Sequence, residues 1–144
     1  MSTRGGLLNV LLVEDSEDDR FFFEHAFKRA DCAATNLFIA KDGIEAIEFL
    51  KQEAIDPSGP RFPHVLFLDL KMPECDGFDV LRWMKSQGLL PRVKVFILSG
   101  SSELQDVQMA RELGAREYLV KPVKFQQLRQ LLSCDDVPLG VANT

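Results

Sequence analysis

Short, nearly continuous apolar runs alternate along this chain with longer segments whose apolar residues recur at helical spacing. A run such as LLNVLLV fits a strand that is buried on both faces of a sheet, because a strand open to water on one face would alternate with polar residues. Such runs predict five strands, at residues 7–13, 36–40, 64–69, 93–98 and 117–120.

The segments after these runs predict five amphipathic helices. The first follows Ser16, a good N-cap, and Asp19 stands three residues later, as in a capping box. The others are expected at 44–51, 78–86, 103–113 and 124–132, and Gly114 would end the fourth. The apolar positions expected on these helices are Phe22, Phe23, Ala26, Phe27 and Ala30, then Ala46, Ile47 and Leu50, then Leu81 and Met84, then Leu104, Val107 and Ala110, and finally Phe125, Leu128 and Leu132.

Strands and helices that alternate five times predict an α/β fold with a doubly wound parallel sheet and helices on both faces. A loop at 55–63 carries three prolines and a glycine. We expect one domain at 7–133, a flexible N-terminus at 1–6 and a flexible tail at 134–144, which lacks periodicity.

Composition and charge narrow the class of protein. The chain has 144 residues, of which 46% are hydrophobic and 27% charged, values ordinary for a globular domain. A net charge of −5 argues against a dedicated nucleic-acid binder, since neutralising phosphates needs a surplus of Lys and Arg. No apolar run approaches the roughly 20 residues that span a bilayer. Cys32, Cys75 and Cys134 form no CxxC pair, which favours free thiols in the cytoplasm.

Five polar residues stand where predicted strands end: Glu14, Asp15, Asp69, Ser99 and Lys121. Because parallel strands end at one edge of a sheet, and function gathers there in open α/β folds, these side chains are expected to converge. Taken singly, Ser99 is an ordinary strand-end hydroxyl and Lys121 an ordinary surface lysine. Their shared location is what indicates a site.

The acids of this group differ from their neighbours Glu17, Asp18 and Asp19, which the positive N-terminus of the following helix explains well. Asp69 interrupts a buried strand, where an unpartnered carboxylate would be costly. Clustered carboxylates suit Mg²⁺, which prefers oxygen ligands. A carboxylate beside Mg²⁺ and a lysine is placed to attack phosphorus and become an aspartyl phosphate.

The chain resembles the receiver domains of two-component response regulators, and is similar to their single-domain, chemotaxis-type members. Five motifs in order carry the resemblance, over roughly residues 8 to 132. They are VLLVEDSEDD at 10–19, KDGIEAIEFL at 41–50, HVLFLDLKMPECDGFDVL at 64–81, VFILSG at 95–100 and ARELGAREYLVKPV at 110–123. The beginning of the chain also resembles regulators paired with phytochrome-type kinases. The resemblance implies the strand order 2-1-3-4-5.

The resemblance assigns a metal and phosphoryl site. Asp69 matches the phosphoacceptor, Asp15 a direct Mg²⁺ ligand and Glu14 the acid that acts through a metal-bound water. Glu14 is Glu where many members have Asp. Lys71 matches the position whose backbone carbonyl ligates the metal, and Lys121 the lysine that pairs with Asp69 or with its phosphoryl oxygens.

The resemblance also assigns a switch. Ser99 matches the hydroxyl that moves to bond the phosphoryl group, and Gly100 is the small residue beside it. Tyr118 matches the aromatic that turns inward on activation. Pro122 matches the proline of a cis peptide bond.

The function implied is that of a single-domain response regulator in the cytoplasm. It would accept a phosphoryl group on Asp69 from a histidine kinase or a phosphotransfer protein, with Mg²⁺ as cofactor. It would turn over no separate substrate and would bind neither nucleic acid nor membrane directly. With no room for an output domain after residue 123, phosphorylation would switch a protein-binding surface of the receiver itself.

Two alternatives remain open. One is a receiver that binds partners without phosphorylation. The other is a phosphatase with an aspartyl-phosphate intermediate, although such enzymes carry a second acid where this chain has Lys71.

The chain is rich in phenylalanine, and three of these residues, Phe21, Phe22 and Phe23, are consecutive on one helix, so at least one must face outward. Stray surface aromatics are the simpler interpretation, and a docking or homodimer surface is the other.

Overall fold

Ten elements make up the fold in the computed structural model, which describes residues 8–32, 35–100 and 103–133. The strands are β1 (Leu8–Val13), β2 (Thr35–Ala40), β3 (Val65–Asp69), β4 (Lys94–Ser99) and β5 (Glu117–Val120). The helices are α1 (Glu17–Ala30), α2 (Gly43–Glu53), α3 (Gly77–Ser86), α4 (Leu104–Glu112) and α5 (Phe125–Ser133). The predicted elements are therefore all present. The expectations for 1–6, 134–144 and Cys134 lie outside the described residues.

The five strands form one parallel sheet in the order β2-β1-β3-β4-β5, so the predicted fold class and strand order are confirmed. β1 and β3 are neighbours near the middle, and β5 is an edge strand two places beyond β3. The carboxyl ends of all five strands lie at the same edge, as parallel pairing requires.

The sheet separates two apolar layers, because alternate residues of each strand point to opposite faces. On β3, Leu66 and Leu68 pack with α2, α3 and α4, whereas Val65 and Phe67 pack with α1 and α5. Every residue of β3 is buried, which explains why its sequence is a continuous apolar run rather than an alternating one. The one polar residue of this run, Asp69, comes at its end.

Helix rotation differs from the prediction at two positions. Phe23, Ala26 and Ala30 of α1 are buried as expected, but Phe22 is 56% exposed. Phe22 stands one residue, about 100°, away from Phe23, and it faces the connection between β5 and α5 instead of the sheet. Leu104, at the first position of α4, is 69% exposed beyond the edge of the core. The expectation that at least one of the consecutive phenylalanines faces outward is confirmed.

Asn9 is the polar exception inside β1, and its hydrogen bonds explain how it can be buried. Its Nδ2 donates to the carbonyl oxygens of Pro60 and Phe62, each at 2.9 Å. Its backbone N–H donates to Nδ1 of His64 at 2.9 Å. These bonds tie the proline-rich loop to the amino end of the sheet, opposite the edge that carries the acids.

No helix among the described residues is long and apolar enough to cross a membrane. Cys75 is a free thiol, as expected.

Candidate functional site

Three carboxylates meet at the carboxyl edge of the sheet. Glu14 and Asp15 directly follow β1, and Asp69 is the last residue of β3. Each can present one oxygen so that all three oxygens lie within 4.8 Å of one another. Glu14 and Asp69 are buried, while Asp15 is exposed at the mouth of the cluster.

Lys121, which directly follows β5, places its ammonium among these acids. Its Nζ lies 2.8 Å from Glu14 Oε1, 3.0 Å from Asp69 Oδ1 and 2.9 Å from Asp19 Oδ2. The distances are those of charge-assisted hydrogen bonds. One cation therefore faces three carboxylates, and Asp15 adds a fourth negative charge nearby.

The pKa values of these groups reflect their burial and their hydrogen bonds with one another. Burial raises the pKa of Glu14 from its ordinary 4.5 to about 7, against the opposing effect of the hydrogen bond from Lys121. Burial also raises the pKa of Asp69, and Lys121 opposes that shift too. Burial alone would lower the pKa of Lys121, but its hydrogen bonds with Glu14 and Asp19 raise it above the usual value. Burial is thus the largest influence on both carboxyl groups, and a cation beside them opposes it.

The donor set fits a hard divalent cation. All three clustered acids offer oxygen, the ligand that Mg²⁺ prefers, and the cluster contains no thiol or imidazole that would suit a softer metal. Lys71 lies two residues after Asp69, and its side chain extends towards α4, where Nζ is 4.0 Å from Asp106 Oδ2. Its side chain therefore stands away from the acids, and the role implied for it involves only its backbone.

Close backbone packing fixes the segment that follows Asp69. The N–H of Gly77, at the start of α3, donates to the carbonyl oxygen of Leu70 at 3.0 Å. A Cβ at Gly77 would lie 2.5 Å from the carbonyl oxygen of Asp69 and 2.8 Å from Cα of Leu70. Only glycine leaves room for this approach, so Gly77 helps to hold Asp69 at the edge of the sheet.

Two of the residues that the resemblance assigns to a switch, Ser99 and Pro122, adjoin Lys121 in the structure. Ser99 is buried at the end of β4, and its carbonyl oxygen accepts from the N–H of Lys121 at 2.7 Å. The bond between Lys121 and Pro122 is cis, as the resemblance implies. A Cβ at Gly100 would meet no atom of the described residues within 4 Å.

Tyr118, on β5, packs partly buried against the layer formed with α2, α3 and α4. Its hydroxyl is buried and has no hydrogen-bond partner among the described residues. A buried hydroxyl without a partner is costly, so another position of this ring that satisfies it would be favoured.

Asp19 is the member of the site that the sequence did not reveal. The helix dipole fully explains an acid in the first turn of α1, so the sequence gives no reason to place Asp19 in the site. The contact with Lys121 joins residues 102 positions apart, so no local spacing could signal it. The predicted capping box is also incomplete: Ser16 Oγ accepts from the N–H of Asp19, but the N–H of Ser16 donates to Glu14 Oε2.

Both the sequence and the fold are similar to those of known proteins. The model of the response regulator receiver domain matches residues 10–133. Response regulator Rcp1 of Synechocystis is 33% identical over 123 residues, covering 85% of this chain and 82% of its own length. The bacteriophytochrome response regulator AtBRR is similar in structure, with a TM-score of 0.72, 34% identity and coverage of 90% of this chain and 92% of its own.

Two further comparisons concern the length of one relative and the metal bound by another. Two-component response regulator ORR1 of rice is 30% identical over 136 residues, which are 90% of this chain but 55% of ORR1, so the chain spans about half of that relative. A solved structure of Rcp1, with a TM-score of 0.71 and 32% identity over 88% of this chain and 92% of its own, is its Mn²⁺-bound form. A divalent cation in that relative agrees with the oxygen donors clustered here.

Proposed function

The chain belongs to the response regulator receiver domain family, and from that premise we propose that it accepts a phosphoryl group on Asp69 from a histidine kinase or a phosphotransfer protein. The observation that carries the proposal is the position of the Asp69 carboxylate. It is buried 3.0 Å from the Lys121 ammonium and within 4.8 Å of the acids Glu14 and Asp15. A carboxylate in such surroundings can act as a nucleophile towards phosphorus while its neighbours bind cations.

The chemistry is a displacement at phosphorus. An Asp69 carboxylate oxygen forms the new O–P bond, and the P–N bond of a phosphohistidine breaks, with its electron pair leaving on the imidazole. Lys121, already within hydrogen-bond distance of Asp69, donates to the phosphoryl oxygens. Glu14, Asp15, Asp69 and the Lys71 carbonyl would hold Mg²⁺, which when bound neutralises negative charge on the transferred oxygens.

Phosphorylation is proposed to act as a population shift between two states of the receiver. The Ser99 hydroxyl bonds the phosphoryl group in the active state, and the ring of Tyr118 turns inward into the space beside Ser99. Two observations on the described part of the chain support this coupling: the Tyr118 hydroxyl has no hydrogen-bond partner there, and a Cβ at Gly100 would contact nothing there. The output is then a changed surface on α4, β5 and α5.

We propose that the phosphate donor docks over the groove between α1 and the connection from β5 to α5. This groove of about 570 Å³ is lined by apolar groups, among them Phe22, Val123 and Phe125, and it reaches Lys121 at one end. A histidine-bearing helix lying in it would therefore approach Asp69. If the donor docks here, the exposed Phe22 is part of a docking surface and not an incidental surface aromatic.

We further propose that residues 7–133 work as a single-domain receiver in the cytoplasm, without turnover of a separate substrate. The cationic side chain of Lys71, where phosphatases of this mechanism carry an acid, supports a phosphoacceptor over an enzyme.

The test is labelling by a small phosphodonor such as acetyl phosphate with Mg²⁺, followed by intact mass. The wild type should gain one phosphoryl group, and Asp69→Asn should gain none. Asp18→Asn is the matched control, because Asp18 is an exposed acid and should label normally. Labelling of Asp69→Asn at the wild-type rate would contradict the assignment. If beryllofluoride with Mg²⁺ leaves the amide spectra unchanged, the phosphorylation-independent module would be favoured instead.

A further inference from the structure

Three helices among the described residues, α1, α3 and α4, carry an aspartate at the third helical position. The aspartates of α1 and α3 make different hydrogen bonds. In α3, Asp79 Oδ2 accepts from the N–H of the N-cap residue Asp76 at 3.1 Å, which completes a reciprocal capping box. In α1, Asp19 holds the same position, but its Oδ2 accepts from Lys121 Nζ at 2.9 Å. The N-cap Ser16 donates to Glu14 instead. Asp19 therefore does not serve as the reciprocal cap of its own helix.

The three carboxylates around Lys121 also differ in what else they must do. Glu14 and Asp69 belong to the acid cluster that can hold a divalent cation, so a bound metal shares their oxygens. Asp19 stands outside that cluster. Asp69 must in addition take the phosphoryl group, which changes the oxygen that Lys121 faces. Of the three, Asp19 alone keeps an unchanged carboxylate throughout the reaction.

We propose that Asp19 is a positioning residue, which holds the Lys121 ammonium over Asp69 from the α1 side while the phosphoryl group arrives. This inference deepens the proposed function and rests on it. An ammonium has three N–H donors. One donated to Asp19 fixes the end of a long, flexible side chain and leaves the other two for Glu14 and for Asp69 or its phosphoryl oxygens. Orientation of this kind lowers the barrier because a misplaced group loses most of its effect.

The competing explanation is that Asp19 is an ordinary acid near a helix N-terminus with a weak surface ion pair. Its side chain is 38% exposed, so its removal should leave the fold intact under either explanation. The two differ in the direction of the effect on labelling. A small phosphodonor is an anion, so loss of an acid that only contributes charge should leave its reaction unchanged or make it faster. Loss of a positioning residue should make it slower.

The experiment compares Asp19→Asn, Asp19→Glu and Asp18→Asn with the full-length wild type at saturating Mg²⁺. Asp18 is the neighbouring exposed acid in the same helical turn, so Asp18→Asn removes the same charge without touching Lys121. The rate of labelling by acetyl phosphate should fall about tenfold in Asp19→Asn, since misplacing a group in a reaction site can cost as much as about a hundredfold. It should stay within about twofold of wild type in Asp18→Asn, and Asp19→Glu should recover most of the loss because it restores a carboxylate.

A second readout does not depend on labelling. The Lys121 ammonium should give a protected Nζ resonance in the wild type and in Asp18→Asn, and the signal should shift or broaden in Asp19→Asn. The inference is overturned if Asp19→Asn labels as fast as the wild type, if Asp18→Asn is equally slow, or if Asp19→Glu remains as slow as Asp19→Asn. In each of these cases the wild type still labels, so the proposed function stands. A wild type that takes no phosphoryl group overturns both.

Discussion

The ammonium of Lys121 lies 2.8 Å from Oε1 of Glu14, a side chain that is only 1% exposed. The two residues follow β5 and β1, and both β3 and β4 lie between these strands in the sheet. The two side chains therefore meet across most of the carboxyl edge of the sheet, past the end of β3, where Asp69 stands. Buried carboxylates without enough positive charge are costly, and this shortage sets how the site responds to pH and to metal.

The metal-free protein should lose stability as the pH rises through neutrality. Burial raises the pKa of Glu14 from 4.5 to about 7. Because the folded state holds this proton more tightly than the unfolded chain, the stabilisation is complete below pH 4.5 and is lost as the pH rises through about 7. We expect a fall of about 1 to 3 kcal/mol in the free energy of unfolding, measured by urea denaturation in a chelator.

Glu14→Gln is the control for this pH dependence, since it keeps the size of the side chain and cannot titrate. Other titrating groups affect the stability of both proteins. The quantity to compare is therefore the slope of the free energy of unfolding against pH in the wild type and in Glu14→Gln. A wild type whose stability changes with pH as that of Glu14→Gln does would mean that Glu14 titrates normally in the folded protein.

Mg²⁺ should stabilise the fold by supplying the missing charge. At a concentration about a hundredfold above its dissociation constant, a ligand that binds only the folded state adds about 2.7 kcal/mol to the free energy of unfolding. Asp15 is exposed, so Asp15→Asn should leave the metal-free stability nearly unchanged while it weakens the response to Mg²⁺. Thermal unfolding over a Mg²⁺ titration measures both. If Mg²⁺ stabilises the wild type and Asp15→Asn equally, Asp15 is not a ligand of the metal.

The convergence of Asp69 and Lys121 could be predicted because topology alone dictates it: residues that end parallel strands share one edge of a sheet. The partner of Asp19 could not be predicted in this way. Hydrophobic periodicity fixes which stripe of a helix is apolar, but tertiary packing decides how far the helix rotates and what its flanks meet. The apolar periodicity includes Phe22 and Leu104, but both are exposed: Phe22 stands one residue from the buried Phe23, and Leu104 is the first residue of α4. The sequence thus predicts the middle of each helix face better than its edges.

Gly77→Ala should destabilise the protein and disturb the site. The new Cβ would lie 2.5 Å from the carbonyl oxygen of Asp69 and 2.8 Å from Cα of Leu70, both backbone atoms that cannot simply rotate away. Forced overpacking of this kind costs about 1 to 3 kcal/mol. Gly100→Ala is the control, because a Cβ there meets none of the residues that the structure describes within 4 Å, and its effect should stay within about 0.5 kcal/mol. Equal free energies of unfolding for the two variants would show that the backbone after Asp69 can shift to accommodate the new Cβ without loss of stability.

Tyr118→Phe should keep or slightly increase the stability of the unphosphorylated protein. The hydroxyl of Tyr118 is buried with no hydrogen-bond partner among the described residues, so its removal deletes a polar group without breaking a bond. The ring, which packs against the core, is retained. We expect a change between zero and a gain of about 1 kcal/mol in the free energy of unfolding. Tyr118→Ala, which also removes the ring, should lose about 3 kcal/mol. A loss in Tyr118→Phe comparable to that in Tyr118→Ala would mean that the hydroxyl is bonded in the resting state, and the turn of the ring proposed for activation would then lose its driving force.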